Sequence, residues 1–175
     1  MTDDAAPGGG QELLYAEILR EFGAALARLA GGYERDEDRR DDLLQEIHMA
    51  IWRSLALFDG RCSLRTWVYR VSHNTATSIA LRRRSRSSLV SLDEAELALP
   101  PAAGPDLDRS IALQRVLELI HSLRSVDRQV MLLYLEGCDA AAVADIVGLS
   151  SGNVATKIHR IKQLLTKQFQ TGVRG

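Results

Sequence analysis

The stretch from Cys138 to Leu165, CDAAAVADIVGLSSGNVATKIHRIKQLL, holds the side chains best suited to reading the hydrogen-bonding edge of another molecule. With Val154, Ile158, Ile161 and Leu165 on one helical face, the opposite face presents Asn153, Thr156, His159, Arg160 and Gln163. An asparagine amide offers a donor and an acceptor together and matches an adenine edge. An arginine fork matches guanine in the same bidentate way. Lys162 and Lys167 suit phosphate contacts, which position a protein without reading sequence. The run before this helix supports the same chemistry. Ala144 is small enough to let two helices cross closely, and Gly148 takes a turn conformation that a Cβ resists. Ser150 is suited to cap the second helix through its hydroxyl. Helix, short turn and capped helix make a helix-turn-helix, whose second helix enters the major groove of DNA.

A second group of candidate residues lies at Asp59 to Asn74. Asp59-Gly60-Arg61-Cys62-Ser63 is a turn, followed by Trp67, Tyr69 and Arg70 and, further on, by the cluster Arg82, Arg83, Arg84. Basic charge beside aromatic rings is the composition of single-strand binding, where unstacked bases need a platform. Trp67 taken alone fits a core position better, and the alternative for the turn is a plain chain reversal. Other chemistries find no support. His48, His73, His121 and His159 are scattered, and there is no HExxH, no CxxC and no Gly-rich phosphate loop. Cys62 and Cys138 stand alone, so free thiols are expected. No enzyme activity, cofactor or metal site is expected.

These residues need helices to position them. The spacing of Leu14, Ile18, Phe22, Ala25, Leu26 and Leu29 predicts a helix from Gln11 to about Ala30, ended by Gly31-Gly32 and preceded by a disordered tail, 1–10. A second helix carries Leu43, Leu44, Ile47, Ile51, Trp52 and Leu55 on its apolar face and Asp42, Gln45, Glu46 and Met49 on the other. A third runs from Leu64 to about Arg84. Its expected inner side is Trp67, Val68, Val71, Thr75, Ile79 and Leu81, with Arg65, Tyr69, Arg70 and His73 on the polar sides. Residues 87–107 hold three of the four prolines and read as a flexible linker. Helices over Leu107–Leu123 and Val126–Leu135 then lead into the helix-turn-helix. No period-two alternation long enough for a strand is present. The expectation is an all-α chain with two small helical domains, 11–86 and 108–170.

The net charge of −1 conceals strong segregation. Residues 1–60 hold thirteen acids against six bases, and 93–149 hold ten against four. Residues 61–92 hold seven arginines and no acid, and 150–175 hold five bases and no acid. Two segments are thus built to touch phosphate and two to avoid it. The N-terminus, MTDDAAPGGG, lacks a basic-then-apolar leader, and no apolar run approaches the ~20 residues of a membrane span. A cytoplasmic protein with no membrane contact of its own is expected.

In order and spacing, DDLLQEIHMAIW, FDGRCSLRTWVYRVSHN, RRRSR, the Pro-rich stretch and the terminal helix-turn-helix resemble a bacterial sigma factor. The short form fits, the extracytoplasmic-function type of the sigma-70 family, with regions 2 and 4 alone. The resemblance spans about residues 13–168. It implies a promoter-recognition subunit whose partners are core RNA polymerase (β′ coiled coil and β flap), promoter DNA and an anti-sigma factor. By position, Asp42, Leu43, Gln45, Glu46 and Ile47 match the region 2 surface that grips the β′ coiled coil. Asp59, Gly60, Arg61 and Ser63 match the loop that captures a flipped −10 base. Trp67, Arg70 and Asn74, with the Arg82–Arg84 cluster, match the helix that handles the melted strand. Ser150, Ser151, Asn153, Thr156, Lys157, His159 and Arg160 match the −35 reader. The alternative is a helix-turn-helix regulator that acts without being a polymerase subunit.

Overall fold

The computed structural model describes residues 9–87 and 109–171. They form seven helices and one 3-10 turn: α1 (Gly9–Tyr33), α2 (Glu37–Ser54), the turn Leu55–Leu57, α3 (Leu64–Ser87), α4 (Arg109–Ser122), α5 (Ser125–Leu135), α6 (Ala140–Val147) and α7 (Ser151–Thr171). There is no strand among the described residues, and the all-α expectation is met. The chain divides into two compact units, the first built on α1, α2 and most of α3, the second on α4–α7. The expected tail and linker fall outside the described residues, except that Gly9 and Gly10 are already in α1 and Ser87 closes α3.

In the first unit α1 packs along α2, burying Ile18, Phe22, Leu26 and Leu29 of α1 and Leu43, Ile47 and Ile51 of α2. α1 does not stop at Gly31-Gly32. It runs on to Tyr33, because Tyr33 is itself a core residue and holds the last turn in place. Asp36 then caps α2, its carboxylate accepting from the Arg39 N–H at 3.0 Å. Trp52, expected inside, is 38% exposed. Its neighbour Ile51 takes the core position, and Tyr15 of α1 meets the indole edge-on at 5.2 Å.

α3 turns by about one residue from its expected phase. Its buried face is Val68, Tyr69, Ser72, His73 and Ala76, while Leu81 is exposed. Polar atoms are tolerated there because they are bonded. The Ser72 hydroxyl donates to the Val68 carbonyl at 2.7 Å, and the Tyr33 hydroxyl meets His73 Nδ1 at 3.1 Å. Tyr69 packs edge-on against Phe22, centroids 6.1 Å apart, and so ties α3 to α1.

In the second unit α5 contacts α4, α6 and α7. The Arg128 guanidinium folds back under α4 and donates to the carbonyls of Ile120, His121 and Leu123. It thereby satisfies acceptors that the end of a helix leaves bare. Asp139 caps α6 through the Ala142 N–H at 2.8 Å. Gly148 ends α6 in the left-handed conformation, φ +76°, with its N–H and that of Leu149 on the Ala144 carbonyl. A Cβ at Gly148 would meet no atom within 4 Å, so only backbone strain opposes one. Gly148→Ala should therefore cost about 1–2 kcal/mol. Circular-dichroism melting checks it, and an unchanged melt would show that the turn shifts at little cost.

Candidate nucleic-acid interface

The turn after Gly148 delivers α7 with its start fixed. The Ser150 hydroxyl accepts from the Asn153 N–H at 3.3 Å, the cap expected of it. Val154, Ile158 and Ile161 are buried against α5 and α6, which fixes the rotation of α7 about its axis. The remaining surface then falls where the sequence put it. Ser150, Ser151, Asn153, Thr156, His159, Arg160 and Gln163 are all exposed. Thr156 bonds back to the Gly152 carbonyl at 2.9 Å, and His159 and Gln163 bond each other at 2.9 Å. Lys162 lies over the Tyr134 ring, 5.5 Å from its centroid. The first turn of α7 holds no acidic side chain. This helix end thus presents the positive end of its dipole with no acidic side chain to oppose an anion.

Two of the cations on α7 are not bare. Asp127 of α5 is almost wholly buried, and its Oδ1 takes Lys157 Nζ at 2.7 Å while its Oδ2 takes Arg160 Nη2 at 3.1 Å. Sequence reasoning missed Asp127. It lies thirty residues before Lys157, and nothing in its local pattern separates it from a surface carboxylate in a first helical turn.

In the first unit Asp42, Gln45 and Glu46 lie exposed along one side of α2. Leu43 and Ile47, expected on the same gripping surface, are in the core. They form the apolar stripe that seats α2 on α1, so their side chains are unavailable to a partner. Of the five residues, Asp42, Gln45 and Glu46 alone are exposed. His48 sits half-buried beside them, with Nδ1 buried and unbonded, and burial pushes its pKa down.

The turn 59–63 is a closed local structure. Gly60 has φ +74°, a conformation that glycine adopts without strain. The Asp59 carboxylate accepts from the Arg61 N–H at 3.1 Å and pairs with Arg61 Nε at 2.6 Å. Ser63 caps α3, its Oγ accepting from the Thr66 N–H at 3.1 Å and donating to Thr66 Oγ1 at 2.9 Å. Its hydroxyl is therefore engaged within the fold. Trp67 is half-buried and packs on Phe58, centroids 5.3 Å apart. Trp67, Arg70 and Asn74, spaced by three and four residues, share one side of α3. Asn74 and Arg82 are exposed, Arg70 and Arg83 half-buried, and Arg84 follows in the same helix.

Comparison with known proteins gives this arrangement a family. The model of sigma-70 region 2 matches residues 18–87, and that of sigma-70 region 4 matches residues 113–165. The ECF RNA polymerase sigma-E factor of Escherichia coli K12 is 30% identical over 143 residues, 76% of this chain and 75% of its own. The sigma factor CnrH of Cupriavidus metallidurans is 28% identical, over 93% of this chain and 90% of its own. Among solved structures, the sigma factor RpoE of Bartonella quintana, crystallised with the anti-sigma factor NepR, has the same fold. Its TM-score is 0.68 at 23% identity, over 89% of this chain and 95% of that one. Two region models that follow one another along most of the sequence, and a relative 30% identical over three quarters of it, place the chain in the sigma-70 family, among the extracytoplasmic-function sigma factors.

Proposed function

We propose that the chain serves core RNA polymerase as a promoter-recognition subunit and carries out no reaction of its own. The observation that supports this best is the pairing, on one chain, of a capped helix-turn-helix with a separate unit whose basic helix follows a tight turn. A repressor needs the first and has no use for the second. In this reading α7 reads duplex at −35 through Ser150, Ser151, Asn153, Thr156, His159 and Arg160, while Lys157, expected among them, is turned to Asp127. The turn 59–63, with Trp67, Arg70, Asn74 and Arg82–Arg84, holds the opened −10 strand. The acidic side of α2, Asp42, Gln45 and Glu46, docks on the β′ coiled coil, and the second unit meets the β flap.

The relatives suggest how it is controlled. RpoE is seen with an anti-sigma factor, and the same class of inhibitor would hold this chain until induction. The site of action is the cytoplasm. Among the described residues no helix is long and apolar enough to cross a membrane.

The charge balance sets the decisive test. The chain is net −1, so its two basic segments work against acidic neighbours and long-range attraction to DNA is weak. Promoter-specific binding is expected only with core polymerase. Reconstitution with core enzyme, followed by sequencing of transcript starts, should give starts that share −10 and −35 elements. Tight, specific binding by the chain alone, with no new starts, would favour the free-standing regulator.

A further inference from the structure

We propose that Asp127 of α5 is a positioning residue for duplex reading: its buried carboxylate holds Arg160 where its fork faces a base edge and keeps Lys157 away from the phosphates. The proposal rests on the assignment of α7 as the −35 reader.

The geometry is a shared anion. The Asp127 side chain is 8% exposed, and each of its oxygens takes one cation, Lys157 at 2.7 Å and Arg160 at 3.1 Å. Burial of the carboxylate and of most of Lys157 shields that contact from salt, while the Arg160 contact is shielded on the carboxylate side. The two cations are held differently. Lys157 is 23% exposed with its ammonium turned to Asp127, so a charge that would add affinity for any DNA is withdrawn. Arg160 stays 63% exposed and is held through Nη2. The carboxylate fixes one corner of the planar fork, and the rest of its donors remain oriented as a group. An arginine ordered before binding loses less conformational freedom on meeting its base, which favours the specific complex. Asn153 lies on the same flank of α7, four residues before Lys157 and seven before Arg160, so the fixed fork and the amide keep one register. Asp127 thus raises discrimination twice, by ordering a base reader and by neutralising a generic cation.

This makes a signature that simple damage does not produce. In holoenzyme assembled from the full chain and core polymerase, Asp127→Asn should lower discrimination between the preferred −35 element and its single-base variants. The loss expected at the position Arg160 reads is about tenfold. Affinity for non-promoter duplex should rise and depend more steeply on salt, because two cations become available to phosphate. A merely structural role would lower specific and non-specific binding together. Should Asp127→Asn fold poorly with Lys157 left unpaired, the double variant Asp127→Asn/Lys157→Gln removes both charges of that pair and should melt near wild type while still losing discrimination. Unchanged discrimination in either folded variant overturns the positioning role alone. Wild-type holoenzyme indifferent to the −35 sequence would overturn the duplex-reader assignment and this role with it.

Discussion

Lowering the pH from 7 to 4 is expected to remove about 3 kcal/mol from the stability of the N-terminal unit through one side chain, His73. The ring is buried at the meeting of α1 and α3, and burial pushes its pKa down to about 3. In the unfolded chain it titrates near its ordinary value of about 6.5. Between those values the unfolded state binds a proton that the folded state refuses. The contribution is complete above the unfolded value and is lost as the pH falls toward the folded one, at about 1.4 kcal/mol per unit. The neighbours give the imidazolium no rescue by charge. Tyr33 offers a neutral hydroxyl 3.1 Å from Nδ1, shared with Thr77 at 3.4 Å. Both tryptophans, Trp52 and Trp67, are in this unit, so indole fluorescence follows its unfolding selectively. Urea titrations at pH 7, 5.5 and 4 should be run on the wild type and on His73→Leu. The variant loses about 1 kcal/mol at pH 7 with the Tyr33 bond, yet its stability should fall less steeply in acid. Parallel pH dependences for the two proteins would show that His73 is not the acid-sensitive group.

His73 also marks the limit of what the sequence discloses. A reading based on apolar spacing placed it, with Tyr69, on the polar side of α3. The rotation was missed because the buried face of α3 is half polar, and Ser72 and His73 are satisfied by bonds that periodicity does not register. The helix-turn-helix was legible because its determinants are local. Gly148 and Ser150 act within three or four residues of themselves, and Val154, Ile158 and Ile161 of the inward stripe of α7 are all buried, with Leu165 half-buried. Asp127 and Arg128 were illegible for the opposite reason, since their work lies on α7 and on the end of α4. Leu43 and Ile47 show the reverse error. A family motif aligns whole stretches, and the residues that seat a helix travel with the exposed ones.

Exchanging residues 59–62 for the equivalent turn of a relative with a different −10 preference should move that preference by about 10–100-fold, the effect of gaining or losing one stacked base. The turn is short and fixed at both ends, by Phe58 on Trp67 and by Ser63 at the start of α3. Leaving Ser63 in place keeps the cap, so the exchange alters the turn and spares the helix. Within the turn Gly60 supplies a left-handed corner that glycine takes without strain. Arg61 projects into solvent and is held by Asp59 alone among the ion pairs of the turn. A pair so exposed is worth about 0–1 kcal/mol, so a base or a phosphate can replace the carboxylate at small cost. Asn74 is exposed on α3, and in the proposed reading its amide offers a donor and an acceptor to the next nucleotide. Permanganate footprinting of holoenzyme on matched promoters reads the opened thymines directly, and a core-binding assay confirms that α2 is undisturbed. A changed turn with the original preference and the original extent of opening would reduce 59–62 to a connector and leave the proposed −10 role to Trp67, Arg70 and Asn74 alone.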